Sequence, residues 1–318
     1  MSGRRSRAPL ALAAAVLCLA AALGGCGVGP GDAPDSPVAL TITRDFGATR
    51  VLHSADAKVS GADTVMRVTQ RNADVTTRFG GDFVQSIAGI AGGRRDGRPV
   101  DWFIYVNGIL TNQGAGALRA RGGDRIWWDH HDWGLTPDVP AVVGAFPQPF
   151  LHGSDGTRRP VRVECAEPRS RPCAAVADRL VQLGVPATRD ALERSSADES
   201  LRVLVGPWQR LRGRAAEADD LDRGPRSSGV FARFDEAGTR LRVLDPRGRV
   251  ARTLGAATGL VAAVRELDGQ PVWFVTGTDA AGVAAAARAL DESVLRDRFA
   301  VAVSRGLPVS VPLTRAGR

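Results

Sequence analysis

The residues best suited to chemistry are concentrated in one short stretch of the chain, between Asp101 and Trp133. This stretch holds four of the six tryptophans, the only tyrosine and two of the four histidines. Flat rings beside imidazoles and carboxylates can stack on a ligand and hydrogen-bond to it. The candidate ligand-binding residues are Trp102, Tyr105, Asn107, Trp127, Trp128, His130, His131, Asp132 and Trp133.

The end of this stretch, WWDHHDW, admits several interpretations. Strand alternation would place Trp128, His130 and Asp132 on one face and their neighbours on the other. The end could be a solvated strand terminus with one indole packed inward, a ligand platform, or a transition-metal site that combines one histidine with Asp129 or Asp132. Adjacent histidines such as His130 and His131 point apart on a strand, which weakens a two-histidine chelate. Hydrolysis by a His–Asp pair lacks an evident nucleophile.

The elements that must position these residues lie within residues 38–133. Val38–Thr43 alternates apolar and polar residues and predicts a strand, and Asp63 can cap a short helix. Two aromatic strands, Trp102–Val106 and Arg125–Asp129, finish the region. One helix with four or five mixed strands predicts an α+β, β-grasp-like N-terminal domain. On the closing strands we expect one face in the core and the other half-covered.

Three motifs in this region carry a family resemblance: GDFVQSIAGI from Gly81, WFIYVNG from Trp102 and GDRIWW from Gly123. In this order they resemble the transcobalamin C-terminal-like domain, over residues 38–133. That β-rich module forms half of vertebrate cobalamin carriers, where it closes over the corrin face opposite a helical barrel, and it also occurs in bacterial surface proteins. The resemblance implies capture of a cobalamin-like ligand, although no helical-barrel sequence accompanies it here.

The rest of the chain predicts architecture and no chemistry. Residues 134–154 form a Pro-rich linker, and residues 155–318 alternate strands with helices, which predicts an α/β layered C-terminal domain. We expect a helix over residues 259–267 and a second helix capped by Asp279. Gly277–Gly282 follows a strand but lacks the Lys-Ser/Thr of a P-loop, so we interpret it as a helix cap.

The N-terminus has the features of an export signal. Basic residues precede an apolar run that is shorter than a lasting transmembrane helix, which predicts a signal peptide over residues 1–25. Leu23–Cys26 resembles a bacterial lipoprotein box, in which Cys26 would be lipidated; the alternative is ordinary secretion. Residues 26–37 would form a flexible tether. We therefore expect a protein anchored by lipid to the outer, extracytoplasmic face of the cell membrane.

Net charge and cysteine content further limit the possible classes of function. The formal net charge is +8, and it falls to +5 without residues 1–25, which carry three arginines and no acids. Basic and acidic residues are interspersed and no reading motif is present, which argues against nucleic acid. In an oxidising compartment, Cys165 and Cys173 are predicted to form a disulfide, because the second half of a zinc site is missing.

Together these features predict an exported, non-catalytic binding module without a metal site. It would capture a cobalamin-like or other small ligand and pass it to a transporter. The alternative is a structural module of the cell envelope that contacts other surface proteins or wall polymer. Exposure of the four clustered tryptophans discriminates between the two: if most are more than nine-tenths buried without a neighbouring cleft, ligand capture loses its physical basis.

Overall fold

The computed structural model describes residues 37–57, 59, 61, 63–78, 83–192, 199–266 and 269–314. The predicted signal peptide, the predicted lipidation at Cys26 and residues 26–36 of the predicted tether lie outside the described residues. None of the helices within the described ranges is long and apolar enough to cross a membrane.

The strands are β1 (Val38–Arg44), β2 (Thr49–Ala57), β3 (Val75–Arg78), β4 (Phe83–Ile87), β5 (Ile90–Ala91), β6 (Gly93–Arg95), β7 (Arg98–Val106), β8 (Ile109–Leu110), β9 (Arg125–Asp132), β10 (Val161–Cys165), β11 (Ala187–Ala191), β12 (Leu201–Pro207), β13 (Ala232–Phe234), β14 (Leu241–Leu244), β15 (Val250–Leu254), β16 (Gly259–Val264), β17 (Val272–Gly277), β18 (Ala300–Ser304) and β19 (Leu307–Val311). The helices are α1 (Val65–Asn72), α2 (Gln148–His152), α3 (Arg171–Gln182), α4 (Trp208–Leu211), α5 (Ala216–Arg223), α6 (Pro225–Ser228), α7 (Ala280–Arg288) and α8 (Glu292–Leu295).

The N-terminal sheet is mixed. Its order is β2-β1-β9-β7-β6, and β8 pairs with the C-terminal end of β7. β1 runs parallel to β9, while the other neighbours are antiparallel. α1 is capped by Thr64, whose side chain accepts a hydrogen bond from the Arg67 N–H. Asp63, the predicted cap, instead forms an ion pair with Arg71, so the helix begins one residue later than the sequence suggested.

The C-terminal sheet is also mixed and is covered on both faces. Its order is β11-β10-β12-β17-β16-β18-β19, parallel through β17 and antiparallel from β17 to β19. α3 and α7 pack on one face with Val203 and Val275. The small antiparallel sheet β13-β14-β15 packs on the other face with Leu204 and Phe274. The chain is thus an α+β protein with a mixed N-terminal sheet and a mixed α/β C-terminal sheet.

One predicted helix is wrong. Gly259–Val264 forms the strand β16, and all six residues are buried between β17 and β18. A short apolar run has no periodicity that separates a buried strand from a buried helix, so neighbouring strands decide the outcome. The predicted cap at Asp279 is confirmed, because its side chain accepts a hydrogen bond from Gly282 N–H at the start of α7.

Two further features tie the chain together. Cys165 and Cys173 form the predicted disulfide between β10 and α3. The Pro-rich segment is buried along most of its length, and its Val142 shares a hydrophobic cluster with Trp127 of the N-terminal sheet and Phe274 of the C-terminal sheet. These contacts join the two sheets without showing whether either folds alone, so the domain boundaries stay a prediction.

Candidate functional site

The strands β7 and β9 bring most of the candidate residues together. They pair antiparallel, with Trp102 opposite His130 and Tyr105 opposite Trp127. Because side chains alternate along a strand, the pairs fall on opposite faces of the sheet. The alternation expected from the sequence is therefore correct. The expectation that the second face is half-covered is wrong, because protein covers both faces.

The first face packs against α1. Trp128 is 1% exposed, and its indole N–H donates to Thr69 Oγ1 at 2.9 Å. Trp102 is 8% exposed and donates to the Ile90 carbonyl at 2.9 Å. Burying an indole is favourable when its single N–H keeps a partner. Both rings therefore behave as satisfied core residues.

His130 completes this face. Its Nε2 lies 3.0 Å from the Ala91 carbonyl, which can only accept, so Nε2 carries the proton. Nδ1 is buried and has no hydrogen-bond partner among the described residues. Burial lowers the pKa of His130 below its ordinary value, and the nearby Arg95 charge adds to this. A neutral imidazole against the Trp102 ring, with centroids 5.0 Å apart, fits these surroundings.

The second face packs against the C-terminal half of the chain. Trp127 is 3% exposed, and its indole N–H donates to Thr43 Oγ1 at 2.7 Å. Phe299 meets the Trp127 ring edge-on at 5.2 Å and the Tyr105 ring edge-on at 5.6 Å. The Tyr105 hydroxyl is buried with no hydrogen-bond partner in the described part of the chain. Burial raises the pKa of Tyr105 well above its ordinary value, and the charges of Asp129 and Asp138 reinforce the shift.

Asp129 lies at the centre of this face and is fully buried. Its carboxylate accepts hydrogen bonds from the backbone N–H groups of Phe46 and Gly47, at 3.0 and 2.8 Å, and from the Thr43 hydroxyl. A fourth donor is His131 Nδ1 at 2.8 Å. A buried carboxylate is tolerated when its oxygens are satisfied in this way. Asp129 thus fixes the turn between β1 and β2.

His131 is enclosed by phenylalanines. Its ring stacks on Phe103 at 4.2 Å and on Phe46 at 4.5 Å, and Phe299 meets its edge at 5.4 Å. The ring is 2% exposed. The His131–Asp129 pair therefore has the geometry of a packed structural pair. Within the described ranges, no group of three or more histidine, cysteine, aspartate or glutamate side chains could hold a metal ion.

Asn107 closes the other end of β7. It has a φ of 50°, and Gly108 follows with a φ of 81°, and these positive values suit a tight turn. Its side-chain amide donates to Asp124 Oδ1 at 2.8 Å and to the Gly153 carbonyl, while its Oδ1 accepts from Arg125 N–H. Burial raises the pKa of Asp124 despite these hydrogen bonds. Asn107 is a buried turn residue rather than a surface contact.

The last two candidates lie nearer the surface. Asp132 forms an ion pair with Arg98 and also accepts a hydrogen bond from Gly134 N–H at 2.9 Å. Trp133 is 39% exposed, and the other three tryptophans of the cluster are buried. Of the nine candidates, seven are buried, Asp132 is partly buried and Trp133 is exposed.

Clefts do border the aromatic strands, with walls that the sequence did not indicate. A cavity of about 280 Å³ is lined by Trp127, among others, and also by Glu292 and Arg296. A second cavity, of about 440 Å³, is lined by Asp132, among others, and also by Arg247. Glu292, Arg296 and Arg247 come from the C-terminal half of the chain. No local motif near Trp127 or Asp132 could have revealed them.

Comparison with known proteins covers part of this region. A family model described as a domain of unknown function, DUF4430, matches residues 62–132, which include α1, β7 and β9. This match covers less than half of the chain. None of the curated proteins compared with the chain matches it.

Proposed function

We propose that this protein is an exported, lipid-anchored and non-catalytic module of the cell envelope that contacts other surface proteins or wall polymer. In this proposal the aromatic strands serve as its core, and Cys26 carries the anchor. The proposal keeps the protein on the outer face of the membrane, as its N-terminal sequence predicts.

The burial of the clustered tryptophans carries the proposal. Trp102, Trp127 and Trp128 are each more than nine-tenths buried, and each indole N–H donates to an oxygen within the fold. Such rings offer no face on which a planar ligand could stack. Their removal from water stabilises the fold instead, by roughly 3–5 kcal/mol for each tryptophan compared with alanine.

The surroundings of Asp129 and His131 support a non-catalytic role. Both side chains are at least 98% buried, and the Asp129 oxygens already accept four hydrogen bonds from the protein. A general base must reach the proton that it abstracts. The pair is occupied in holding the β1–β2 turn.

Ligand capture is a second candidate, favoured by a cleft of about 590 Å³ beside β8, lined in part by Ile109, Leu118 and Arg119. This volume lies in the range of small-molecule sites. The parallel pairing of β1 with β9 also supports a β-grasp-like, transcobalamin-related unit. However, no aromatic side chain lines the cleft among the described residues, so it lacks a stacking surface for a corrin.

Tryptophan fluorescence of the full chain, titrated with cobalamin, tests the proposal. We expect no quenching beyond that of free N-acetyltryptophanamide measured in parallel, which corrects for light absorbed by the corrin. Saturable quenching at tens of micromolar that exceeds this control would replace the envelope module with ligand capture.

The anchor has its own test. A Cys26→Ala variant should move from the membrane fraction to the medium, and mass spectrometry should find acyl chains on the wild-type Cys26 peptide. An unmodified wild-type peptide would contradict lipid anchoring and leave ordinary secretion.

A further inference from the structure

The outer face of the small sheet β13-β14-β15 carries a cleft of about 260 Å³. Its apolar lining includes Leu244, Val250 and Leu135, the last from the Pro-rich segment. Five arginines also line the cleft, and no acidic residue is among the described residues that line it. The five are Arg223, Arg226, Arg233, Arg242 and Arg247.

The strand register places two of these arginines directly opposite each other. Arg233 on β13 pairs with Arg242 on β14, so both side chains leave the same face of the sheet. The other cross-strand neighbour of Arg242 is Thr253, which carries no charge. Like charges directly opposite on a sheet are destabilising. Folding alone therefore disfavours this arrangement.

Counter-charges are scarce around the cleft. Arg223 pairs with Asp220. The other four arginines have no ion-pair partner within the part of the chain that the structure describes. Just outside the cleft, Arg249 pairs with Asp245 in the same turn that carries Arg247. Four of the five positive charges that line the cleft are thus left without an ion-pair partner among the described residues.

Two glycines lie against side chains that line the cleft. A Cβ on Gly224 would lie 2.8 Å from Arg233 Cδ, so the missing side chain lets the arginine stem lie across the backbone. A Cβ on Gly248 would lie 2.9 Å from Leu135 Cδ2 in the same way. Both glycines also have positive φ values, of 96° and 75°. The stem of Arg233 and the side chain of Leu135 therefore lie packed against the backbone.

We propose that this arginine cleft is a binding site for phosphate-bearing anions. A guanidinium presents a planar fork of donors that matches phosphate oxygens, and several forks around one site suit a multiply charged tetrahedral group. The apolar residues of the lining can contact the organic part of a phosphate ester. The site goes beyond the proposed envelope role and does not depend on it.

Isothermal titration of the full chain with diphosphate, at constant ionic strength, tests the site. The informative variant is Arg233→Gln with Arg242→Gln, and its matched control is Arg189→Gln with Arg214→Gln, two exposed arginines outside the cleft. We expect saturable binding that weakens about 100-fold in the cleft variant, since each charge-assisted contact accounts for roughly tenfold. The control should bind like the wild type.

Thermal unfolding adds a readout that a purely structural role would not give. Saturating diphosphate should raise the melting temperature of the wild type by about 5 °C. Without diphosphate, the cleft variant should melt at or above the wild-type temperature, because a like-charge pair has been removed. Equal diphosphate binding by the wild type and the cleft variant, or no binding by either, would overturn the proposal.

A further arm separates phosphate recognition from attraction to a charged surface. Full chain in neutral detergent is mixed with phosphatidylglycerol vesicles or phosphatidylcholine vesicles, with and without diphosphate. If diphosphate releases the protein from phosphatidylglycerol vesicles, a lipid headgroup is supported as the source of the phosphate. Vesicle binding that diphosphate does not displace, together with no heat of diphosphate binding, counts against the cleft.

Discussion

On β9, Asp129 is wholly buried and accepts hydrogen bonds from four groups around it, whereas on β14 Arg242 faces solvent directly opposite another arginine. Both are charged residues on central strands of a sheet. In the first case the fold explains the residue, because a buried carboxylate needs its donors. In the second case the fold gives no reason for the residue and would be more stable without it.

This difference changes where function should be sought. The aromatic strands drew attention because their residue types suit ligand binding, yet their indole N–H groups donate to threonine and backbone oxygens within the core. The arginine cleft drew none, because arginines scattered along a sequence are ordinary surface residues. Residues that packing fully explains say little about binding, and residues that packing opposes say more.

The largest expected effect tests whether the aromatic rings are core. Trp128→Ala should lower the free energy of unfolding by about 3–5 kcal/mol, since it opens a cavity and leaves the Thr69 hydroxyl without its indole donor. Trp133→Ala is the matched control and should cost less than about 1 kcal/mol, because that ring is 39% exposed. Urea unfolding measures both. Equal losses in the two variants would contradict the core assignment.

Asp129→Asn tests the contribution of the buried carboxylate. The substitution keeps the shape but replaces one acceptor oxygen with an amide that faces donors from Phe46, Gly47 or Thr43. We expect a loss of about 2–4 kcal/mol in the free energy of unfolding. Asp178→Asn, on the exposed face of α3, should change it by less than about 0.5 kcal/mol. A neutral effect at Asp129 would mean that its hydrogen bonds do not hold the turn.

Part of the structure of the aromatic strands could be predicted from local residue preferences. The alternation of Trp127 and Trp128, and the turn at Asn107, follow from side-chain periodicity and from the need for positive φ. The covering of the second face depends on Phe299, which is remote in sequence from both strands. Short-range patterns contain no information about such a partner, and so the burial of these rings could not be foreseen.

The same reasoning applies to other long-range features. In the Pro-rich segment, Val142 and Phe146 are buried in hydrophobic clusters that include residues of both sheets. The arginine cleft depends on the register that sets Arg233 against Arg242. A slip of one residue would turn the arginines to the other face, and sequence spacing alone does not fix that register.

His130 makes the stability of the fold depend on pH. Its pKa lies below the ordinary value because burial disfavours the charged ring. The unfolded chain takes up a proton near pH 6.5, so stability is present above that pH and is lost as pH falls toward the folded pKa. The slope from this one group is at most about 1.4 kcal/mol per pH unit.

A His130→Gln variant isolates this contribution, because glutamine can still donate to the Ala91 carbonyl. The stability difference between wild type and variant, from urea unfolding at pH 7.5, 6.5 and 5.5, should change in favour of the variant as pH falls. A difference that stays constant over this range would show that His130 titrates alike in the folded and unfolded chain.

The smallest expected effect concerns the turn that carries Arg247. Burial alone would raise the pKa of Asp245, but hydrogen bonds from the Arg249 side chain and from the N–H groups of Arg249 and Arg247 lower it below the ordinary value. A lowered pKa contributes stability above about pH 4, which is lost as pH falls through the folded pKa. Asp245→Asn should therefore cost about 1 kcal/mol at pH 7 and progressively less below pH 4.

Asp245 combines the two cases compared above. Its carboxylate accepts hydrogen bonds from the protein, and it lies in the turn that carries Arg247, which has no ion-pair partner among the described residues. If the turn orients Arg247 toward the cleft, Asp245→Asn should weaken diphosphate binding severalfold at pH 7 while the fold stays intact. Asp178→Asn serves again as the control for a lost surface charge. Unchanged diphosphate affinity with the expected loss of stability would remove Arg247 from the site and leave the cleft to the arginines on β13 and β14 and on the adjoining helices.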